Sequence, residues 1–281
     1  MLIGSHVSIA GGIQNAPINA AKIGCECFQF FSRSPRGGGK KDLAEMEIEE
    51  FKKNCEQNKL SDYYIHAPYY INLASLNNKI KHGSINACRE ELERGSLLGA
   101  KYMMTHLGSA GEREETDALN ETVKSIDRIL DGYGGKTEFL MEIAAGSGKI
   151  LGDDFKEIAY ILQNIKSKNV GVCFDTAHAF ASGYDLRIKE AVNETLKKFD
   201  EQIGLDKLKL IHANDSLAEF NSHKDRHQHI GQGEIGPEGF SALINHPKLQ
   251  NVNFIIETPK EDDRSDLHNI EMLKKMRSNH K

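Results

Sequence analysis

Short apolar runs alternate with amphipathic segments along the whole chain, and this alternation strongly limits how the chain can fold. Eight runs are rich in β-branched and aromatic residues, and helical patterns of apolar spacing lie between them. Strands of nearly continuous apolar character are typical of parallel sheets that are buried on both faces. The runs cover residues 2–9, 25–31, 63–67, 102–106, 138–143, 170–175, 208–212 and 252–257.

Eight strand–helix units predict an α/β protein, a single-domain (β/α)₈ TIM barrel over residues 1–281. The clearest helical patterns lie at 42–58, 85–98, 119–130, 155–165, 188–203, 239–244 and 267–276. A doubly wound open sheet is the alternative, but a count of eight strands favours closure. We see no change of composition that would divide the chain into two domains.

The composition is ordinary for a soluble globular protein, with 39% hydrophobic and 27% charged residues. No apolar stretch approaches the roughly 18 residues of a membrane span, and the start lacks the pattern of a signal peptide. Five cysteines without a Cys-x-x-Cys motif predict reduced thiols that serve packing. We therefore expect a cytoplasmic or nucleoid-associated protein that does not contact a membrane.

Metal-binding side chains end six successive predicted strands. They are His66, His106, Glu142, Asp175, His212 and Glu257. The carboxyl ends of barrel strands meet at one mouth, so we expect these side chains to converge. Imidazole and carboxylate ligands suit Zn²⁺, Mn²⁺ or Fe²⁺, and clustered acids without cations would repel one another. Six ligands exceed what one zinc ion takes, which predicts at least two ions sharing a carboxylate.

A further group of metal-binding residues follows the sixth and seventh strands. His178 lies three residues beyond the sixth strand, while Asp225 and His227 alternate in a loop and would point the same way if it is extended. A third metal site is one interpretation, and a charged, solvated loop is the other. The glycines that follow predict a loop of demanding shape close to a ligand: Gly231, Gly233 and Gly236. We expect His6, at the end of the first strand, to support the ligands by hydrogen bonding.

Together these motifs resemble the endonuclease IV family of zinc-dependent apurinic/apyrimidinic endonucleases, over nearly the whole chain. The motifs that carry the resemblance are His66-Ala-Pro-Tyr69, Thr105-His-Leu-Gly108, Met141-Glu-Ile-Ala144, Phe174-Asp-Thr-Ala-His178, His212-Ala-Asn-Asp-Ser216, Asp225-Arg-His227 and Ile256-Glu-Thr-Pro259. Any one of them is a weak signal, whereas the combination is highly specific.

The resemblance implies three Zn²⁺ ions per chain, with Mn²⁺ or Fe²⁺ as an alternative at one position. The implied ligands are His66, His106 and Glu142 for the first ion; Glu142, Asp175, His212 and Glu257 for the second; and His178, Asp225 and His227 for the third. It also implies that Glu142, Asp175 and Glu257 serve catalysis directly. Glu142 would bridge two ions, and Glu257 would orient or deprotonate the nucleophile.

The implied partner is double-stranded DNA with abasic sites or blocked 3′ ends, acted on by a monomer. The family cleaves 5′ to the abasic sugar, leaving a 3′-hydroxyl and a 5′-deoxyribose phosphate, and also trims blocked 3′ ends. The formal net charge of −5 argues mildly against nucleic acid, but three Zn²⁺ would move it to about +1. A sugar isomerase or epimerase of the same barrel type is the main alternative, and a metal-dependent structural or nucleic-acid-binding protein is less favoured.

The resemblance extends to residues that would enter the DNA. Tyr69 and Arg36 match side chains that insert into the duplex, and Lys40 and Lys41 would contact phosphates. The chain departs from a bacterial Arg-x-Trp pattern here, because Arg36 is followed by three glycines and the chain has no tryptophan. The glycines make the loop more flexible and remove a large apolar wedge.

Overall fold

Eight parallel strands close into a barrel in the computed structural model, which describes residues 1–37, 42–260 and 265–277. The barrel strands are β1 (Ile3–His6), β2 (Cys27–Phe30), β3 (Tyr63–His66), β4 (Tyr102–Thr105), β5 (Glu138–Glu142), β6 (Val170–Asp175), β7 (Leu208–His212) and β10 (Asn253–Ile256). Each lies within one of the eight predicted runs, and β10 pairs with both β1 and β7. The predicted TIM barrel is therefore confirmed.

Helices surround the barrel and connect its strands. They are α1 (Asn15–Lys22), α2 (Glu45–Gln57), α3 (Asn78–Leu98), α4 (Glu115–Leu130), α5 (Phe155–Asn164), α6 (Thr176–Ala181), α7 (Lys189–Gln202), α8 (Gly236–Ile244) and α9 (Ser265–Met276). Short 3₁₀ turns cover Leu205–Lys207 and Pro247–Leu249. Within the described ranges, no helix has the length and apolar character needed to cross a bilayer.

Four helices begin three or more residues from their predicted starts, and two further helices had no predicted bounds. The helix α2 begins at Glu45 rather than at 42, and α8 begins at Gly236 rather than at 239. The helix α3 begins seven residues before the predicted 85, because the Asn77 side chain accepts hydrogen bonds from the amides of Lys79 and Ile80. The helix α4 likewise begins at Glu115 rather than at 119. No bounds were predicted for α1 or α6, and the six residues of α6 are too few to show a helical period.

The core has two parts, because alternate residues of each strand face the barrel interior and the surrounding helices. On β2, Phe28 and Phe30 pack outward against Phe51 of α2, whereas Cys27 faces inward. The interior is filled by Cys27, Tyr64, Tyr102, Met104, Leu140, Cys173, Leu210 and Ile255. All five cysteines are buried and free of disulfides, as predicted.

A register shift between β6 and β7 sets the level of two candidate ligands. Val172 pairs with Leu208, but beyond an irregularity Cys173 pairs with Leu210 and Asp175 with His212. An unshifted ladder would have placed Ile211 opposite Asp175. Paired residues on parallel strands face the same side of the sheet, so the shift brings Asp175 and His212 to the mouth side by side.

Candidate metal centre

The mouth of the barrel brings all nine predicted ligands together. They line or underlie a cavity of about 360 Å³ at the carboxyl ends of the strands, which His66, His106, His178 and Glu257 border. Three groups of these side chains have ligand atoms within 4.8 Å of one another. The groups are His66, His106 and Glu142; Glu142, Asp175, His212 and Glu257; and Asp175, His178 and His227. Asp225 lies within 3.4 Å of both imidazoles of the last group, and we count it with this third group.

Glu142 belongs to two of the groups and lies between them. Its Oε2 is 3.0 Å from His66 Nε2 and 3.7 Å from His106 Nε2, and its Oε1 is 3.0 Å from His212 Nδ1. The carboxylate is fully buried at the end of β5. Each oxygen therefore faces a different set of imidazoles, which is the arrangement that a bridging carboxylate requires.

The third group forms where the loop after β7 returns to the mouth. Its short strands β8 (Asp215–Ser216) and β9 (His227–Gln228) form an antiparallel hairpin that turns His227 inward. His227 Nε2 and His178 Nε2 are 3.3 Å apart, and Asp225 Oδ1 lies 3.3 Å from His178 Nε2 and 3.4 Å from His227 Nε2. Asp225 is on the exposed rim, whereas His178 is buried.

One helical turn sets the distance between the second and third groups. Asp175 ends β6 and is also the N-cap of α6, where its Oδ1 accepts a 2.9 Å hydrogen bond from the amide of His178. Its Oδ2 lies 3.8 Å from His212 Nδ1 and 3.7 Å from His227 Nε2. Asp175 therefore lies beside the second group, as its position at the strand end predicted, and beside the third group as well, which His178 faces.

Backbone carbonyls orient three of the imidazoles. Each of these rings has its Nδ1 beside a carbonyl oxygen, to which it donates, and this turns Nε2 toward the centre. The Nε2 of His178 must lose its own proton before it can bind a cation. The pairs are His66 with Ala67 at 2.6 Å, His178 with Ile143 at 2.9 Å and His227 with Glu257 at 3.1 Å. Such tautomers are ready for metal binding through Nε2.

Imidazoles and carboxylates in the mouth shift one another's pKa values. Burial alone would raise the pKa of Glu142, but the imidazoles of His106 and His212 outweigh it and hold this pKa well below the usual range. Burial likewise disfavours protonation of His178, but Asp175 and Asp225 outweigh it and raise the pKa of His178 to about 10. Burial also opposes ionisation of Asp225, yet the hydrogen bond from His178 lowers its pKa to about 2.

The donor set fits divalent cations of the zinc type. Imidazole nitrogens and carboxylate oxygens are the ligands that these ions prefer, and each group has at least three of them. Among the described residues, the buried Nδ1 of His106 has no hydrogen-bond partner. Burial also lowers the pKa of His106, which makes its ring easier to deprotonate for metal binding. The mouth therefore offers side-chain groups that could hold metal ions.

Two polar residues of the mouth had not been identified from the sequence. Gln29 is fully buried at the mouth end of β2 and donates to Glu257 Oε1 at 2.6 Å. Asn214 donates to Asp175 Oδ2 at 2.7 Å and accepts from the amide of Glu257 at 2.7 Å. Gln29 occupies an inward-facing position, but a single amide within an apolar run does not resemble a metal ligand. Asn214 is two residues beyond His212 and could have been noticed there.

The glycine-rich loop has a different role from the predicted one. It closes on a protein carboxylate, because buried Asp215 accepts hydrogen bonds from the amides of Gly231, Gly233 and Ile235 at 2.9–3.0 Å. A Cβ atom at Gly233 would lie 2.4 Å from the Ser216 carbonyl oxygen. The close approach that the glycines permit is thus to Asp215, and it fixes the loop beyond the β8–β9 hairpin.

Two of the predicted DNA-contacting residues, Tyr69 and Arg36, lie on the rim. Tyr69 is 63% exposed, and its ring packs edge-on against Phe31 at 5.0 Å. Its amide donates to the Pro35 carbonyl at 3.2 Å, which joins its loop to the loop of the exposed Arg36. Lys40 and Lys41 lie outside the described residues.

Comparison with known proteins gives a consistent result. Residues 18–276 match a family model described as a xylose isomerase-like TIM barrel. The chain is 39% identical over 277 residues to a probable endonuclease 4 of Halothermothrix orenii, covering 98% of this chain and 100% of that protein. A crystal structure of endonuclease IV from Thermus thermophilus superimposes with a TM-score of 0.88 at 30% identity, covering 98% of each chain. A D-tagatose 3-epimerase-like protein gives a TM-score of 0.75 at 21% identity, over 98% of this chain and 97% of that one.

Proposed function

The chain belongs to the endonuclease IV family, and from that premise we propose that it is a metal-dependent endonuclease of damaged DNA. It hydrolyses the phosphodiester bond 5′ to an abasic site and leaves a 3′-hydroxyl and a 5′-deoxyribose phosphate. It also removes blocking groups from 3′ ends. A blocked 3′ end presents the same kind of phosphodiester bond to the same site. One chain acts alone, since all nine candidate ligands come from it.

The observation that carries this proposal is the shared carboxylate of Glu142 with a separate third group beside it. A centre of three Zn²⁺ ions would place His66, His106 and Glu142 on the first ion. Glu142, Asp175, His212 and Glu257 would hold the second, and His178, Asp225 and His227 the third. Bound ions of this type supply Lewis-acid stabilisation of the phosphate and activate the attacking water.

The protein side chains then orient the reacting groups. Glu257 is ionised, because burial is outweighed by the imidazole of His212, which holds its pKa well below the usual range. Its carboxylate can accept a hydrogen bond from the attacking water and so direct a water lone pair at phosphorus. Asp175 is held by Asn214 and by the first turn of α6, so it adds a negative charge of fixed position between the second and third groups.

We propose that the rim selects abasic DNA. An abasic nucleotide has no base to unstack, so distorting the duplex at that point costs less than elsewhere. Tyr69 and Arg36 would enter the distorted duplex together, and the hydrogen bond between their loops supports a joint movement. Lys40 and Lys41 would contact phosphates nearby.

A sugar isomerase or epimerase activity is less well supported. The epimerase-like structure shares 21% of its residues with this chain, which indicates a common fold alone. His178, Asp225 and His227 would form an additional cation site, for which an isomerase that uses one or two ions has no need. No feature of the mouth favours this alternative.

A duplex with one abasic site tests the proposal. We expect the protein to nick the strand on the 5′ side of the site, and we expect a chelator to abolish the nick and added zinc to restore it. An undamaged duplex of the same sequence is the control. Cleavage on the 3′ side, or cleavage that resists chelation, would rule out the proposed chemistry.

Tyr69→Ala should separate lesion recognition from metal binding. The ring is exposed and packs edge-on against Phe31, and its centroid lies 6.1 Å from that of the His66 ring. The ring is within reach of His66 but supplies no ligand atom to the three groups, so we expect wild-type zinc content. Losing one stacking side chain should lower kcat/KM on the abasic duplex by about tenfold, since base–aromatic stacking contributes about 1–3 kcal/mol. Equal losses of zinc and activity would show instead that Tyr69 supports the centre. Leu97→Ala, on the exposed face of α3, is a matched surface control.

A further inference from the structure

We infer that Gln29 is a positioning residue of the metal centre. Its amide orients His212 and holds one oxygen of Glu257, so that each of these two residues presents its other ligand atom to one cation. This inference rests on the proposed function, because it concerns the ion assigned to Glu142, Asp175, His212 and Glu257. Gln29 belongs to neither the predicted ligands nor the three groups of side chains that can hold an ion.

The Gln29 amide uses all of its polar atoms at the mouth. Its Nε2 lies 2.6 Å from Glu257 Oε1 and 2.9 Å from His6 Nδ1, and its Oε1 lies 2.8 Å from His212 Nε2. The side chain is fully buried, so water does not compete for these contacts. The contacts reach from β2 across the interior to β7 and β10.

These contacts determine which way the amide points. An ionised carboxylate only accepts hydrogen bonds, so the NH₂ group must face Glu257 and the carbonyl oxygen must face His212. A carbonyl oxygen only accepts, so His212 must carry a hydrogen on Nε2. The Nδ1 of His212 is then the atom that can bind a metal ion, and it faces Glu142 Oε1 at 3.0 Å and Glu257 Oε2 at 3.4 Å.

His212 differs in this respect from the three imidazoles that backbone carbonyls orient. Those rings, of His66, His178 and His227, donate through Nδ1 and offer Nε2 to the centre. His212 offers Nδ1 instead, and the side chain of Gln29 orients its Nε2. A substitution can remove this support, whereas it cannot remove a carbonyl. Second contacts of this kind commonly change metal affinity by about 10–100-fold.

Zinc affinity of the full chain tests the inference. Wild type, Gln29→Met and Gln29→Glu are equilibrated with zinc and a graded series of chelator concentrations, and bound zinc per chain is measured. Methionine has a similar length but neither donates nor accepts strongly, so we expect one ion to bind about 10–100-fold more weakly and the others to be unchanged. Glutamate keeps an acceptor for His212 but cannot donate to Glu257 Oε1 and adds a second carboxylate beside it, so this variant should also bind that ion more weakly than wild type.

Cys27→Ala is the matched control. Cys27 lies on the same strand and the same inward face, one layer below Gln29, and fills the interior without contacting a predicted ligand. We expect it to retain wild-type zinc affinity. An equal loss of zinc in Cys27→Ala and Gln29→Met would attribute the effect to barrel packing and overturn the inference.

Two further outcomes distinguish the inference from the proposed function. If wild type binds zinc and Gln29→Met binds all ions equally well, the inference is wrong and the metal centre stands. If wild type binds no divalent ion, the proposed function itself fails.

The ring-nitrogen chemical shifts of His212 in zinc-loaded wild type give a second test that needs no variant. We expect hydrogen on Nε2 and none on Nδ1, and the opposite tautomer would overturn the inference.

Discussion

Glu142→Gln is expected to lower kcat/KM for nicking an abasic duplex by more than about 10³-fold while leaving the protein folded. An amide has one acceptor oxygen, and its nitrogen has no lone pair to offer a cation, so glutamine cannot bridge two ions. In Glu142, Oε2 lies 3.0 Å from His66 Nε2 and Oε1 lies 3.0 Å from His212 Nδ1. Losing the bridge should therefore weaken the first and second ions together.

Zinc content and the thermal unfolding midpoint accompany the activity measurement. We expect fewer zinc ions per chain than in wild type and a cooperative unfolding transition. Glu138→Gln is the matched control, since Glu138 is exposed at the opposite end of the same strand. It should behave as wild type. Full activity in Glu142→Gln would exclude Glu142 as a bridging ligand.

Loading the metal-free protein with zinc at pH 7 is expected to release about one proton from His178. Its pKa of about 10 means that the imidazole is protonated at pH 7, yet a cation needs the Nε2 lone pair. Binding therefore competes with the proton. As the pH increases toward this pKa, the apparent affinity of the third site should increase about tenfold per pH unit, provided that the ligands remain otherwise unchanged.

Calorimetry measures the number of released protons. Zinc is titrated at pH 7 in buffers of different ionisation enthalpy, and the slope of the observed binding enthalpy against the buffer ionisation enthalpy gives this number. His178→Gln should reduce this number by about one, whereas His82→Gln, on the exposed face of α3, should not change it. Heats that are the same in every buffer would show that the ligands are already unprotonated.

The strands and the convergence of their polar ends could be predicted because both depend on local sequence. Parallel strands buried on two faces must be almost entirely apolar, so a polar residue that ends such a run stands out. His66 and Glu142 were recognised in this way. The third group was a weaker prediction, since Asp225 and His227 lie in a loop whose path local sequence does not determine. The β8–β9 hairpin and the Asp215 carboxylate determine this path.

Two features of the centre depend on contacts between residues far apart in the chain. The register shift between β6 and β7 places Asp175 beside His212, and no residue type in either strand predicts this shift. Gln29 reaches His212 and Glu257, which are 183 and 228 residues away in the sequence. An uncharged amide in an apolar run is ordinary until its partners are known.

The sequence by itself determined the barrel, the strand ends and the kinds of polar side chain they carry, because apolar period and residue chemistry are local properties. Only the tertiary structure decided which atom each ligand presents. Orienting an imidazole or a carboxylate needs a partner for its other atoms, and folding supplies that partner from elsewhere in the chain. Glu142 faces two sets of imidazoles, and His212 presents Nδ1 rather than Nε2, for this reason.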